Sequence, residues 1–175
     1  TESPHDIEFG PNENFSTDQL RVRVQSLTQP STIIDINIHD LSHHVIRQTP
    51  TPGVDLNSYE SERHWAIADD GTKVPYDIVR HKNHRGALPA VVYAYGSYEI
   101  SLPPWFSVAR LSLLDRGLAW VLVHPRGGGE LGRQWYLNGK FLRKRNTFTD
   151  VIAATKDAVS RQLIDGEKLA VRGGS

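Results

Sequence analysis

Two glycine-containing motifs in this sequence have spacings that could serve chemistry, and the first of them closes the chain. Gly173-Gly174-Ser175 directly follows the apolar run Leu169-Ala170-Val171, which predicts a buried strand. Gly-x-Ser after such a strand is the first half of G-x-S-x-G, which places a nucleophilic serine on a sharp strand-to-helix turn. Its general-base histidine and orienting acid follow the serine in chain order. We therefore expect this chain to carry the nucleophile, Ser175, and to lack the two groups that activate it.

The second motif is Gly127-Gly128-Gly129-Glu130-Leu131-Gly132, which satisfies G-x-G-x-x-G after a hydrophobic strand. With Asp150 downstream, it raises the alternative of a Rossmann-like dinucleotide-binding module. However, Pro125 and Arg126 delay the first glycine, and Asp150 falls at a predicted helix start instead of a strand end. We favour a structural role, in which the glycines let a loop pass tightly while Arg126 and Glu130 tie it to its neighbours.

Composition excludes several classes of protein. Of 175 residues, 38% are hydrophobic and 23% charged, as in ordinary globular proteins, and 20 basic residues balance 20 acidic ones. Nothing therefore predicts a nucleic-acid partner, and no apolar run reaches the roughly 18 residues of a membrane span. The absence of cysteine excludes disulfides and thiolate metal sites and fits a reducing compartment, so we expect a cytoplasmic protein. We expect no metal and no organic cofactor, because the sequence shows no cluster of metal ligands and acyl transfer through a serine needs neither. No methionine occurs, and the first residues resemble no signal peptide, so we expect the native N-terminus to lie upstream.

The first part of the chain shows only strand patterns. Alternating or β-branched segments predict four short antiparallel strands, about the size of one propeller blade. These segments are Asp6–Phe9, Leu20–Gln25, Ile33–Ile38 and His44–Arg47. The proline- and glycine-containing stretch Gln48–Gly53 then predicts a linker. We assign residues 1–57 to a blade-like segment and its linker.

Beyond residue 58 the pattern changes to strands alternating with helices, which indicates an α/β fold with crossover connections. Arg63–Ala68 and Thr72–Val79 flank Asp70-Gly71, a hairpin signal, and Pro75 predicts that the second of these strands lies near a sheet edge. Leu88–Ala94 and Leu118–Val123 read as buried parallel strands.

Two helices are predicted between the later strands. The first carries its apolar residues Phe106, Ala109, Leu113 and Leu114 at helical spacing and closes at Gly117. The second runs from Thr147 to about Gln162, with Thr147 and Asp150 as a capping-box-like start. The order of hairpin, strand, helix, strand, helix, strand and serine turn is that by which an α/β-hydrolase reaches its nucleophile.

Several blocks of sequence resemble the prolyl oligopeptidase family of serine peptidases, and within it the oligopeptidase B type. The resemblance covers roughly residues 59 to 175, and more loosely the preceding segment as the last blade of that family's N-terminal β-propeller. The blocks are Ala94-Tyr95-Gly96-Ser97-Tyr98, Arg110-Leu111-Ser112-Leu113-Leu114-Asp115-Arg116-Gly117, Arg126-Gly127-Gly128-Gly129-Glu130-Leu131-Gly132, the stretch from Gly139 to Phe148, and Gly173-Gly174-Ser175.

The resemblance implies a role for three residues. Ser175 would attack the scissile peptide carbonyl and form an acyl-enzyme. The hydroxyl of Tyr95 would donate to the oxyanion, and Tyr98 would line the pocket for the residue preceding the cut bond. It implies short peptide substrates, cleaved after arginine or lysine, and a catalytic domain of which residues 58–175 form the N-terminal half. The family's catalytic aspartate and histidine would lie beyond Ser175, so the chain alone is expected to be inactive, and a noncatalytic fragment is the further alternative.

Two more residues carry expectations. Glu99 stands where oligopeptidase B relatives usually show glycine; its carboxylate could favour a basic substrate side chain, but we favour a position in solvent. His124 follows a predicted strand but precedes the serine in the chain, the wrong order for the general base, so we expect a hydrogen-bonded structural histidine.

Overall fold

A computed structural model describes residues 3–174 of the chain. Thr1, Glu2 and the predicted nucleophile, Ser175, lie outside these described residues. The fold is mixed α/β and contains two separate sheets, one of four strands and one of five. In the part of the chain described, no helix is long and apolar enough to cross a membrane.

The four-stranded sheet is an antiparallel meander whose strands lie in chain order. Its strands are β1 (His5–Phe9), β2 (Gln19–Ser26), β3 (Thr32–Asn37) and β4 (His43–Gln48). All four strands predicted from the alternating pattern are confirmed within a few residues. The sheet is open, and every residue of β4 is exposed. Its identity as the last blade of a propeller stays a prediction.

The five-stranded sheet supports the candidate site. Its strands are β5 (Tyr59–Ile67), β6 (Lys73–His81), β7 (Leu88–Tyr93), β8 (Ala119–Val123) and β9 (Ile164–Arg172), in the spatial order β5-β6-β8-β7-β9. β5, β6 and β8 pair antiparallel, whereas β7 pairs in parallel with both β8 and β9. The helices are α1 (Val108–Leu114), α2 (Arg133–Leu137) and α3 (Arg145–Ser160).

Alternation along the buried strands builds one apolar core on each face of the larger sheet. In β8, Val121 and Val123 face the core beneath α3, while Trp120 and Leu122 face the core beneath α1. Successive strand residues point to opposite faces, so a continuous apolar run is what a strand covered on both sides requires. The alternating strands and helices predicted from the sequence are confirmed, with helices on both faces.

The hairpin between β5 and β6 forms as predicted, but β6 is not near an edge of the sheet. It pairs with β5 on one side and β8 on the other. Pro75 is tolerated because the ladder with β8 ends at Tyr76, paired with Val123. One position further, the carbonyl of Pro75 accepts a hydrogen bond from the backbone N–H of His124 at 3.0 Å. The prediction that β6 lies near a sheet edge is therefore wrong. Pro75 is still compatible with an interior strand, because it lies beyond the last pair of the β6–β8 ladder, where its missing N–H is not needed.

The last strand, β9, is more exposed than its apolar composition predicted. It forms one edge of the sheet in the described residues, and Val171 is 72% exposed. The prediction of a buried strand is therefore wrong for this chain, although its parallel pairing with β7 is confirmed. Pairing depends on backbone hydrogen bonds, while burial depends on what covers the two faces, and only the first could be read correctly from the local pattern.

Candidate active site

The carboxyl ends of β7 and β9 lie side by side and bring Tyr95 next to the residues before Ser175. Tyr93 pairs with Arg172, and the backbone N–H of Ala94 donates to the carbonyl of Arg172 at 3.3 Å. Tyr95, Gly173 and Gly174 line one cavity of about 630 Å³. In open α/β sheets, ligands bind outside the carboxyl ends of the strands. This cavity is therefore the candidate active site.

The cavity is mostly apolar, and the charged residues that line it are all basic. Tyr95 is half-buried, and among residues 3–174 its hydroxyl has no hydrogen-bond partner. The α3 side chains Phe148, Val151 and Ile152 form one wall, and the charged groups are Lys144, Lys156 and Arg172. No described histidine, aspartate or glutamate lines it. An unengaged phenol hydroxyl in an apolar site is suited to donate a hydrogen bond to a developing negative charge.

The glycines of the G-x-G-x-x-G motif are explained by close contacts within the protein. Gly127, at φ +102°, lies so near the Gly96 carbonyl that a side chain has no space. Gly139 leaves no room either, because it packs against the backbone of Arg126 and Gly127. The structural interpretation of this loop is therefore supported, because the protein's own backbone makes the close contacts that exclude a side chain at Gly127 and Gly139.

Arg126 ties the glycine loop to α3 and to the β5–β6 hairpin. Its backbone N–H and guanidinium both donate to Asp150, with Nη2 at 2.6 Å from Oδ1. Nη1 reaches Asp70 at 2.5 Å, and this hydrogen bond lowers the pKa of Asp70 to about 2. Arg126 and Asp150 are both buried. The predicted tie through Arg126 is confirmed.

The predicted capping box at the start of α3 is wrong, because its two residues serve this network instead. The helix begins at Arg145, two residues before Thr147. The Thr147 hydroxyl donates to the carbonyl of Arg126 at 2.6 Å, and Asp150 binds the Arg126 guanidinium. Ser, Thr and Asp next to an apolar run are typical of a helix start. The local pattern cannot distinguish a cap from a tertiary contact made by the same oxygen atoms.

His124 is a structural histidine, as its place in the chain predicted. It is 2% exposed, and its Nε2 lies 2.9 Å from Asp77 Oδ2, while Nδ1 faces Glu130 at 3.4 Å. Burial opposes a charge on the ring, but the hydrogen bonds to Asp77 and Glu130 outweigh it and raise the pKa of His124. Glu130 also accepts the backbone N–H of Leu102 at 3.0 Å, which fixes the far end of the glycine loop.

Tyr98 lies on the surface beside a second, smaller cavity. Its side chain is 76% exposed and lines a space of about 330 Å³, together with Tyr136, Lys140 and Phe141. Its backbone has φ +56°, a left-handed conformation that is uncommon for a bulky residue. Such conformations occur where surrounding structure enforces them, often at functional sites. The role of Tyr98 as a substrate-pocket wall stays a prediction.

Comparison with known proteins agrees with this geometry. Residues 104–175 match the model of the prolyl oligopeptidase family of peptidases. The chain belongs to the prolyl oligopeptidase family of serine peptidases. It is 42% identical to dipeptidyl aminopeptidase BI of Pseudoxanthomonas mexicana, over 99% of this chain and 24% of the relative's length.

Solved structures of the oligopeptidase B type share the fold. The structure from Leishmania major superposes with a TM-score of 0.89 at 35% identity, covering 99% of this chain and 25% of that one. Oligopeptidase B from Trypanosoma brucei, in a closed form with covalently bound antipain, gives 0.88 at 33% identity, covering 98% of this chain and 25% of that one. The chain thus spans about a quarter of the length of these members of the prolyl oligopeptidase family.

Glu99, for which the sequence favoured a position in solvent, does not point freely into solvent. Its carboxylate forms an ion pair with Arg133, and its side chain is 34% exposed. Its φ is +60°, directly after the left-handed Tyr98. The expectation of a solvent-directed carboxylate is therefore corrected: a glutamate occupies a backbone conformation that suits glycine, and its side chain ties the turn to α2.

Replacing Glu99 with glycine is expected to raise stability. A left-handed conformation costs an L-residue about 1–2 kcal/mol, a penalty that glycine avoids, whereas an exposed ion pair such as Glu99–Arg133 contributes about 0–1 kcal/mol. The free energy of unfolding should therefore rise by about 1 kcal/mol in Glu99→Gly. Denaturant unfolding of the domain measures this. The matched control, Glu99→Gln, keeps the strained backbone and removes the charge. A Glu99→Gly variant that is no more stable than Glu99→Gln would contradict the prediction.

Lys144 is the site residue that sequence reasoning missed. Its side chain lines both cavities and binds the loop that follows Tyr95. The lysine lies within a sequence block that resembles the family, but nothing in its spacing distinguishes it from the neighbouring Arg143 and Arg145. Lys144 is distinguished only in the folded protein, where the segment before α3 approaches the loop of Gly96 and Ser97.

Proposed function

We propose that the whole protein containing this chain is a serine endopeptidase that hydrolyses short peptides, with a preference for cleavage after arginine or lysine. One observation carries the proposal: Tyr95, at the end of β7, lines the same cavity as Gly173 and Gly174, which immediately precede Ser175 in the sequence. An oxyanion donor and a nucleophile must face one reacting carbonyl. The adjacency of β7 and β9 supports that requirement.

The proposed mechanism proceeds through an acyl-enzyme. The Ser175 hydroxyl attacks the peptide carbonyl carbon, and its proton passes to a histidine general base. The carbonyl oxygen becomes an oxyanion, to which the Tyr95 hydroxyl donates a hydrogen bond. Collapse of this intermediate breaks the carbon–nitrogen bond, the histidine gives its proton to the leaving amine, and an ester remains on Ser175. Water then hydrolyses this ester and regenerates the serine hydroxyl. No step needs a metal or an organic cofactor.

The general base is not supplied by the described residues. None of their histidines lines the 630 Å³ cavity, and His124 is buried against Asp77 and Glu130. In this family's order of triad residues, the histidine and its acid follow the serine. We therefore propose that the 175-residue chain by itself hydrolyses no peptide, and that activity belongs to the whole protein.

The substrate preference and the domain organisation are proposed from similarity to oligopeptidase B. No carboxylate of the described residues lines either cavity, so the groups that would select a basic side chain come from other parts of the protein.

Residues 1–57 are proposed as the last propeller blade with its linker, and residues 58–175 as the first half of the hydrolase domain. A propeller beside the site would admit only short peptides, and a cysteine-free chain fits a cytoplasmic location.

Active-site labelling tests the proposal. The whole protein should react with a fluorophosphonate probe at Ser175 and should release the amine from an arginyl amide faster than from a glutamyl amide. Ser175→Ala should abolish both reactions, because it removes the nucleophile. Mass spectrometry of the labelled protein identifies the modified residue. Labelling elsewhere, or persistence of turnover in Ser175→Ala, would refute the assignment of the nucleophile, and equal turnover of the two amides would refute the preference.

A further inference from the structure

Lys144 occupies a junction between the two cavities. It is the last residue before α3, with helical backbone angles (φ −58°, ψ −27°), and its side chain is half-buried. The side chain lines the 630 Å³ cavity beside Tyr95 and the 330 Å³ cavity beside Tyr98. It therefore reaches the segment that connects the two tyrosines.

The ammonium group of Lys144 holds that segment at two points. Nζ donates to the carbonyl oxygen of Gly96 at 2.6 Å and to the hydroxyl oxygen of Ser97 at 2.6 Å. Hydrogen bonds from a charged donor are shorter and roughly twice as strong as those between neutral groups. The two acceptors belong to Gly96 and Ser97, the residues directly after Tyr95. The contact therefore restrains the backbone next to the Tyr95 side chain.

This segment needs such support because its backbone adopts unfavourable conformations. Tyr98 and Glu99 both have left-handed backbone angles, which are uncommon for residues that carry a side chain, whereas Gly96 adopts its φ of +81° without such a penalty. A side chain at Gly96 would meet Thr147 Cγ2 at 2.6 Å and Pro125 Cγ at 2.8 Å, so one side of the turn is fixed by packing. On its polar side the turn is held by the two hydrogen bonds from Lys144. Strained turns persist only where the surroundings over-determine them.

The charge of Lys144 is not neutralised within the described part of the chain. No carboxylate of residues 3–174 lies within ion-pair distance of its ammonium group, and burial lowers its pKa. An apolar side chain would fill this space without the cost of burying a charge. The presence of a lysine here indicates that its donors are needed.

We propose that Lys144 is a positioning residue that holds the Tyr95–Tyr98 turn so that the Tyr95 hydroxyl faces the reacting carbonyl. The inference rests on the proposed function, since it assigns Lys144 to the oxyanion donor of that reaction. In this role Lys144 acts through the carbonyl of Gly96 and the hydroxyl of Ser97, to which its ammonium group donates.

Kinetics of the whole protein test the catalytic part. Lys144→Met keeps the length of the side chain and removes its donors, so kcat should fall about 10- to 100-fold while KM changes little, as expected when a transition-state contact is misplaced. Lys144→Arg keeps a charged donor and should retain more activity than Lys144→Met. The matched control is Lys168→Met on β9, whose lysine is exposed and pairs only with Asp165 among the described residues; its kcat should be that of the wild type.

A double-mutant cycle with Tyr95→Phe separates positioning from general destabilisation. If Lys144 acts through the Tyr95 hydroxyl, Lys144→Met should cost little once that hydroxyl is gone, so the two effects should be strongly non-additive. Fully additive losses, or an unchanged kcat in Lys144→Met, would overturn the inference. If Lys144→Met fails to fold, the same cycle with Lys144→Gln decides between these outcomes.

Hydrogen exchange tests the structural part without any substrate. The amide of Glu99 donates to the carbonyl of Gly127 in the glycine loop, and the amide of Ile100 donates to the carbonyl of Ser97 in the turn. Exchange of both amides should be faster in Lys144→Met than in wild type or Lys168→Met. If the wild-type protein is labelled by the fluorophosphonate at Ser175 but hydrogen exchange is unchanged in Lys144→Met, the inference about Lys144 is overturned and the proposed function stands. A wild-type protein that neither labels nor turns over peptide overturns the proposed function, and the assignment of Lys144 to catalysis fails with it.

Discussion

Tyr95→Phe in the whole protein is expected to lower kcat for a peptide amide by about 10²- to 10³-fold, the usual cost of losing one oxyanion donor. The substitution removes a single hydroxyl and leaves the ring, so the half-buried aromatic packing is kept. That hydroxyl has no competing partner among residues 3–174, and Tyr95 lines a largely apolar cavity. Electrostatic contacts are stronger in such surroundings than in water. Steady-state kinetics on an arginyl amide measure the loss.

The expected pattern is a loss in kcat with little change in KM, because the oxyanion exists only in the transition state and intermediate. Tyr93→Phe provides the matched control two residues earlier on β7. Tyr93 packs against Trp105 and Trp120 in the core beneath α1, away from the cavity. If Tyr93→Phe reduces kcat as much as Tyr95→Phe does, or if Tyr95→Phe is as fast as wild type, the assignment of Tyr95 is wrong.

Asp150→Ala is expected to destabilise the domain by about 3–5 kcal/mol, the cost of leaving a buried charge without its partner. Arg126 would keep only Asp70, which lies in an exposed turn, and its own backbone N–H would lose the acceptor at 2.9 Å. The loss should appear as a lower denaturant midpoint and as faster hydrogen exchange in the glycine loop and α3.

Two comparisons show whether the effect comes from the buried charge. Asp69→Ala, in the same hairpin as Asp70 but without a hydrogen bond in the described structure, should change the free energy of unfolding by no more than about 0.5 kcal/mol. Arg126→Met combined with Asp150→Leu removes both charges and should recover part of the loss, because paired buried charges can often be replaced by apolar groups. A double variant less stable than Asp150→Ala would show that the network contributes more than charge compensation.

The arrangement of strands and helices was readable from the sequence because each element carries its own hydrophobic period. Alternation in β1 to β4 and the apolar runs of β7 and β8 predicted their strands directly. The five-residue helix α2 was missed, since it is too short to show a helical period. The interior position of β6 and the exposure of β9 also escaped prediction, because sheet order and coverage depend on segments remote in sequence.

The candidate site was only partly predictable for a related reason. Tyr95 was assigned through resemblance to the family, and the structure places it at the shared cavity with Gly173 and Gly174; the role of Ser175 stays a prediction. The contact of Lys144 with Gly96 joins residues 48 positions apart, and no local pattern encodes it. The left-handed backbone at Tyr98 and Glu99 was likewise hidden, because neither residue type favours it.

The strand order has a consequence for how the protein is made on the ribosome. β7, which leads into Tyr95, is hydrogen-bonded on one side to β8 and on the other to β9, and both are translated after it. A nascent chain that has emerged only as far as Tyr95 therefore presents an apolar strand with two open edges, a form prone to misassociation. Completion of this part of the sheet must wait for the emergence of β9, so both edges of β7 are covered only when nearly all of the described chain has been synthesised.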